Sequence, residues 1–300
     1  MKVLTSFCNE LDALRKTLPD AEIRCIEDAD SEFVESAEVL IVFHWQDVED
    51  LIPRVKNLML IQTLTAGTDH IDFSMVPEGV KVQSNAGANA RAVAEHGLAL
   101  YLSALKRIPY RDRKMRNGKF PQLLESRLIK GRKVLILGFG HIGQELGKML
   151  SSLGAVVSAI NSRGKYDGDI PVEKVGTLDS LDAMLKDSDA VFITLPLTPE
   201  TKGLIDRKTL ELMKKDAVLV NISRGKIIVE KDLYAHLREN PDFTATVDVW
   251  WHYGKEFKQD YPFEELDNII LSPHCAGTYE GWFRDIVEHA GKMVKERMEG

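Results

Sequence analysis

Cysteine is scarce in this chain, with three residues in 300, Cys8, Cys25 and Cys275. An odd number without metal-ligand spacing implies neither a disulfide framework nor a zinc site, and a reducing cytoplasm fits it. Long apolar runs are missing as well. No stretch approaches the roughly 18 apolar residues that a membrane span needs, and Met1-Lys-Val-Leu-Thr-Ser-Phe is too short for a signal peptide. Nor is positive charge in excess, since 39 Lys and Arg against 46 Asp and Glu leave a formal net charge of -7. That balance argues against a nucleic-acid partner and against a polybasic membrane patch. Basic residues gather only loosely, from Lys106 to Lys119, in a stretch that reads as solvated helix or loop. His70, His96, His141 and His252 show no paired spacing, so no metal is assigned. There is no internal repeat and no low-complexity tract.

What is present is 44% hydrophobic and 28% charged, an ordinary globular composition with length enough for two cores. Short β-rich runs at 2–7, 23–27, 39–43, 58–64 and 80–83 alternate with helical patterns at 10–18 and 48–55. Such alternation implies a parallel sheet covered on both faces. A long helical pattern from Ala90 ends before Pro109, and Asn117-Gly-Lys-Phe-Pro121 looks like a linker. Beyond it a second series of six strands is expected, at 133–137, 155–160, 190–194, 217–222, 244–249 and 268–271. The last segment, from about Glu280, is helical, with Phe283, Ile286, Val287, Ala290 and Val294 three to four apart, and is expected to fold back onto the first domain. The expected domains are therefore 1–94 with 280–300, and 95–279.

The most informative stretch is Val134-Leu-Ile-Leu-Gly138-Phe-Gly140-His-Ile-Gly143, an apolar strand feeding G-x-G-x-x-G with a helical pattern after it. Gly138 permits the tight turn, Gly140 lets backbone approach a pyrophosphate, and Gly143 lets helix and strand pack closely. The helix N-terminus offers unpaired N–H groups to the anion. A dinucleotide site is expected here, with His141 beside the phosphates. At the end of the next strand, Ile160-Asn161-Ser162-Arg163-Gly164-Lys165 has no carboxylate before Asp167. Enzymes preferring NAD usually place Asp or Glu there to bond the ribose 2′-hydroxyl. A hydroxyl, an amide, a guanidinium and an ammonium suit a 2′-phosphate instead, so NADP(H) is favoured over NAD(H).

In a doubly wound sheet, ligands bind beyond the carboxyl ends of the strands. There the sequence sets Asn221-Ile-Ser-Arg224-Gly225, Val247-Asp248-Val-Trp250, Ser272-Pro-His274 and, in the first half, Thr65-Ala66-Gly67-Thr68. A cation, an acid-base group and free amides suit reduction of a small carbonyl acid. Histidine ordinarily titrates near ~6.5, and arginine grips a carboxylate with a planar fork.

With Asn85-Ala-Gly87-Ala-Asn89-Ala, Val93-Ala-Glu95-His96, Leu195-Pro-Leu-Thr-Pro-Glu-Thr201-Lys-Gly-Leu-Ile205 and Ser272-Pro-His274-Cys-Ala-Gly277, these motifs make the chain resemble the D-2-hydroxyacid dehydrogenase family over its whole length. The resemblance implies an α/β fold of two doubly wound parallel-sheet domains, a flavodoxin-like substrate domain and a Rossmann dinucleotide-binding domain. It implies that Arg224 binds substrate carboxylate and carbonyl oxygen, that His274 is the acid-base, and that amides around Ala66 and Gly67 receive the carboxylate. It implies further that Asp248 holds the nicotinamide carboxamide and that Leu195, Pro196 and Ile222 line the cofactor. Phe139, Gly140, His141, Ile142, Asn161, Ser162, Arg163, Thr201, Ser223 and Gly277 complete the expected cofactor set. The expected partner is a small 2-oxo or 2-hydroxy acid, glyoxylate and hydroxypyruvate being the plainest, with His44, Trp45 and Trp250 as an aromatic wall. A homodimer follows from the same likeness.

One position departs from the family. Its members usually pair the histidine with a glutamate five residues beyond the Asp248-like position, which raises the imidazole pKa. Tyr253 stands there in this chain, so either Glu256 takes the role through a loop insertion or the glutamate is absent. Two rivals share the fold, a formate or phosphite dehydrogenase and a non-enzymatic dinucleotide sensor of corepressor type. Arg224 and His274 speak against the sensor, which would need only the cofactor pocket.

Overall fold

The structure is a computed structural model that describes residues 1–253 and 257–299. It divides into two compact units, Met1–Asn89 with Thr278–Gly300, and Ala90–Gly277. The breaks thus fall at 89/90 and 277/278, where the sequence reading put 94/95 and 279/280. The first shift has a plain cause: the long helix begins at Ala90 and packs as a whole on the second unit.

The first unit carries β1 (Lys2–Thr5), α1 (Leu11–Thr17), β2 (Glu22–Cys25), α2 (Ser31–Ser36), β3 (Val39–Val42), β4 (Leu60–Thr63) and β5 (Lys81–Gln83). Its strands pair in parallel in the order β2-β1-β3-β4-β5. β3 and β4 are buried at every position, as a sheet covered on both faces requires. Side chains alternate between the faces. Val3, Val39, Ile41 and Leu60 join one core, and Leu4, Leu40, Val42 and Ile61 the other. The helical pattern read at 48–55 is in fact a 3-10 turn, Glu49–Arg54, tightened around Pro53.

The second unit carries α3 (Ala90–Lys106), α4 (Ile108–Arg116), β6 (Lys133–Leu137), α5 (His141–Ser152), β7 (Val156–Ile160), β8 (Lys174–Gly176), α6 (Leu181–Asp187), β9 (Ala190–Ile193), α7 (Arg207–Leu212), β10 (Val218–Asn221), α8 (Glu230–Glu239), β11 (Thr244–Val247) and β12 (Ile269–Leu271). All pairings are parallel, in the order β12-β11-β10-β9-β6-β7-β8. Six strands were expected and seven are described. The addition is β8, a three-residue edge strand too short and too polar to carry a periodic signal. Strand order reverses between β6 and β9, the switch point at which such sheets bind ligands.

Two more expectations need correcting. Cys8 and Cys25 are joined in a disulfide across a separation of 17 residues, and only Cys275 is a free thiol. The loop after β1 returns Cys8 to the end of β2, a proximity that spacing alone does not reveal. Trp45 is 2% exposed inside a core of its own unit, where apolar neighbours fill its surroundings and no face is left for a substrate. The basic stretch behaves as read, since α4 buries none of its residues. Among the described residues no helix is long and apolar enough to cross a membrane.

The last helix, α9 (Trp282–Glu299), returns to the first unit against α1 and β4 and buries Ile286, Val287, Ala290 and Val294 in the core they share with Val3, Val39 and Ile41. A polar knot pins it. Asn85, fully buried, donates from Nδ2 to the carbonyls of Leu64 (3.3 Å) and Ile286 (2.8 Å), while its Oδ1 lies 2.7 Å from His289 Nδ1. Asn85→Ala strands these buried groups, so the unit should lose about 2 kcal/mol. The check is the urea midpoint at unchanged slope, which should fall.

Candidate active site

Every strand of the larger sheet runs the same way, so the residues that follow each strand collect along one edge. β6 delivers the glycine turn to that edge. Gly138 adopts φ 100°, and a β-carbon on it would sit 2.8 Å from the backbone of Thr194 and Leu195. A β-carbon on Gly143 would meet the Gly138 carbonyl oxygen at 2.1 Å. Gly140, between them, is the N-cap of α5 and faces open space, with nothing within 4 Å of its would-be β-carbon. No side chain caps α5, so its first amides stay available to an anion. These features fit a dinucleotide pyrophosphate, with His141 and Ile142 opening the helix. Phe139 is 5% exposed, and its ring packs edge-on against Tyr166 inside a core of this unit.

Beyond β7, Asn161 shapes its own loop. Its Oδ1 accepts the N–H groups of Arg163 (2.9 Å) and Gly164 (2.7 Å), and its Nδ2 donates to the Lys165 carbonyl (2.9 Å). The amide is therefore spent on the turn, while Ser162, Arg163 and Lys165 are exposed. Beyond β9, Leu195 is half-buried and Pro196 exposed. Thr201, 5% exposed, donates to the Pro196 carbonyl (2.7 Å) and accepts from the Thr198 amide (2.8 Å), which folds the loop back on itself.

Beyond β10, Ile222 packs its side chain against Gly97 of α3, and Ser223 Oγ donates to the Leu195 carbonyl. Arg224 follows, half-buried. Asn221 Nδ2 donates to its carbonyl (3.0 Å) and its own Nη1 donates to the Ser223 carbonyl (2.9 Å). A β-carbon on Gly225 would lie 2.3 Å from the Trp250 carbonyl, so this glycine lets the two backbones touch.

Beyond β11 comes Asp248, 1% exposed. Its Oδ1 accepts from Ser272 Oγ and from the Cys275 amide (3.0 Å), and its Oδ2 accepts from the Ala276 amide (3.0 Å). His96 Nε2 stands 3.4 Å from Oδ1 and 2.9 Å from Ser272 Oγ. Burial alone would push this carboxyl up, yet the His96, Ser272 and amide hydrogen bonds outweigh it and hold the pKa below the usual range. Ionised Asp248 therefore contributes stability above the ordinary carboxylate pKa, and that contribution is lost as acid protonates it.

Beyond β12, His274 is exposed and adopts φ 56°, a left-handed conformation that few non-glycine residues take. Its ring centroid lies 5.3 Å from that of Tyr253, whose hydroxyl accepts the Trp250 amide (2.9 Å). Trp250 itself is 4% exposed and donates from Nε1 to the Ser272 carbonyl (2.9 Å), so it braces the turn and is no open wall. Gly277 closes this unit. Ala66 and Gly67 belong to the other unit, in a bend after β4 where Thr65 Oγ1 donates to the Gly67 carbonyl (2.8 Å). Glu256 lies outside the described residues.

Residues 98–276 match the sequence profile of the D-isomer specific 2-hydroxyacid dehydrogenase NAD binding domain. The chain belongs to that family. Hydroxypyruvate reductase of Thermotoga maritima is 30% identical over 307 residues, which span 98% of this chain and 90% of that one. D-3-Phosphoglycerate dehydrogenase of Methanocaldococcus jannaschii is 31% identical over 89% of this chain, which spans only 50% of that protein. Among solved structures, a Pyrobaculum aerophilum protein provisionally called a formate dehydrogenase is similar with a TM-score of 0.85 and 33% identity, covering 100% of this chain and 96% of that one.

As a D-2-hydroxyacid dehydrogenase the protein is an oxidoreductase that works with a nicotinamide dinucleotide, a group that the glycine turn fits. The two close glycines then differ in kind from the open one. Gly143→Ala has no room and should unsettle the β6–α5 turn itself. Gly140→Ala should leave stability within about 0.5 kcal/mol, as surface changes do, yet weaken dinucleotide binding about tenfold (~1.4 kcal/mol) by keeping the phosphates off the backbone. Paired thermal unfolding and cofactor titration of the two variants separate the effects.

Proposed function

We propose that this dehydrogenase interconverts a small 2-oxo acid and its D-2-hydroxy acid, with His274 as acid-base and Arg224 as carboxylate clamp. One observation carries the reading: Arg224 and His274 follow β10 and β12 on the same sheet edge as the glycine turn. When bound, the nicotinamide dinucleotide supplies or accepts the hydride. Arg224 holds the substrate carboxylate bidentately and keeps its charge throughout. His274 gives a proton to the carbonyl oxygen during reduction and takes it back during oxidation. Glyoxylate and hydroxypyruvate are the first substrates to try. Formate belongs in the same panel because of the likeness to the Pyrobaculum protein.

NADP(H) is the proposed preference over NAD(H). The support is the β7 loop, which exposes Ser162, Arg163 and Lys165 and has no carboxylate before Asp167. Asn161 supports the 2′-phosphate by fixing that loop. Asp248 is proposed to reach the nicotinamide carboxamide, with Leu195, Pro196, Ile222 and Gly277 around the rest of the cofactor.

We propose a homodimer too. Ile108, Met115, Phe120, Leu123 and Leu128 are all more than half exposed, Leu123 at 92%. Five large apolar side chains in one short stretch mark an interaction surface, and a second copy is the proposed occupant. Light scattering of Leu123→Asp should then show a lower mass than the parent.

Steady-state assays test the chemistry. His274→Ala should lower kcat/KM for 2-oxo acid reduction by about 10²–10⁴-fold, with dinucleotide affinity kept. Arg163→Ala should raise the KM for NADPH about tenfold, the value of one charge-assisted hydrogen bond, and leave that for NADH alone. Parent turnover that is faster with NADH for every acid would overturn the NADP(H) preference.

A further inference from the structure

His274 carries the proposed proton transfer from a backbone conformation that costs energy, since φ 56° crowds a β-carbon against the chain. Such a residue persists only where its surroundings fix it. Pro273 stiffens the approach to His274 but does not set the φ of the residue after it. A further restraint comes from elsewhere in the chain. Ser272, two residues before His274, and the amides of Cys275 and Ala276, just after it, all donate to the one buried carboxylate of Asp248. A turn gripped on both sides by a single anion has little freedom left at its centre.

His96 extends that grip to α3. Its Nε2 is 2.9 Å from Ser272 Oγ and 3.4 Å from Asp248 Oδ1, across 176 residues of sequence from Ser272. Its neighbours on the helix give no other reason for a histidine there: Glu95 pairs with Arg91 and faces solvent, and Gly97 is pressed on Ile222. We infer that His96, Ser272 and Asp248 form a positioning cluster that holds His274 in its left-handed conformation. The inference rests on the reading of His274 as the acid-base. His96 is a positioning residue in it, because its contacts are with Ser272 and Asp248 and it acts on His274 only through them.

A cation is the other reading of these atoms. His96, Asp248 and Cys275 offer ligand atoms within 4.8 Å of one another. Both Asp248 oxygens, however, already face N–H or O–H donors, which a cation would have to displace. A role for Asp248 toward the nicotinamide alone is also too narrow, since three donors from the His274 turn occupy its oxygens.

Hydrogen–deuterium exchange of the peptide covering residues 272–277, followed on the full chain, tests the cluster without relying on turnover. Ser272→Ala and His96→Leu should each speed exchange of the Cys275 and Ala276 amides about tenfold, the equivalent of one hydrogen bond to a charged acceptor. His96→Gln, which keeps an N–H donor, should restore most of the protection. In assays the first two variants should lower kcat for 2-oxo acids while the KM for the dinucleotide stays within about twofold. Parent-like exchange in both Ser272→Ala and His96→Leu would overturn the inference, as would a raised dinucleotide KM at unchanged kcat. A parent that reduces no 2-oxo acid would sink the proposed reaction instead, and the exchange result would still decide whether the turn is clamped.

Discussion

Backbone pressed against backbone, with no side chain between, is the contact on which the carboxyl edge of the larger sheet depends. It occurs where the Gly138 turn meets the chain at Thr194 and Leu195, where Gly143 meets Gly138, and where Gly225 meets Trp250. The first joins the loops after β6 and β9, the second seats α5 on the turn that precedes it, and the third joins the loops after β10 and β11. Ser223 Oγ, donating to the Leu195 carbonyl, links the two pairs of loops. A methyl group at any of the three would stand closer to backbone than a β-carbon tolerates, and a rigid main chain cannot yield as a flexible side chain can. The helix amides of α5 are useful to an anion only because Gly143 lets that helix sit so low on the strand.

Parallel pairing supplies the rest of the order. Strands of three to five residues, the inner ones buried on both faces, point their ends the same way, and the alternation of side chains divides each sheet into two cores. In the larger unit Leu135, Val191 and Leu219 fill one face, and Ile136, Phe192 and Val220 the other. With both faces covered, the edge is the part of the sheet left for chemistry. Arg224, Asp248 and His274 stand there because each is the first or third residue beyond a strand.

This is why so much of the fold is legible in the sequence. Gly138, Gly140 and Gly143 announce their separate tasks by spacing, and the structure gives them a tight turn, an open approach and a close contact in that order. The series of apolar runs fixed the strands that lie inside the sheets. Legibility failed where the cause is long-range or weak. β8 is a polar edge strand with a single neighbour. The Cys8–Cys25 pair depends on where a loop returns. Thr201 and Phe139 have structural tasks that their motifs do not announce, one side chain folding its own loop and the other filling a core. His96 lies in one of the family motifs but carries no role from it, and only the packing of α3 brings it to Ser272.

Asp248 shows what burial of a charge achieves here. Taking a carboxylate out of water costs several kcal/mol, and hydrogen bonds from charged or polar donors return about 1.5–3 kcal/mol apiece. Ser272, the amides of Cys275 and Ala276, and His96 are enough to offset the cost and to keep the group ionised. The net gain in stability is therefore small. What the arrangement does gain is geometry, because each donor must point at the same two oxygens for the charge to be tolerated at all. Three of the donors come from the turn around His274 and the fourth from a helix at the far end of the unit's sequence. A displaced turn would leave a buried anion short of partners, so the penalty for misplacing His274 falls on Asp248 and is much larger than the strain at φ 56° alone.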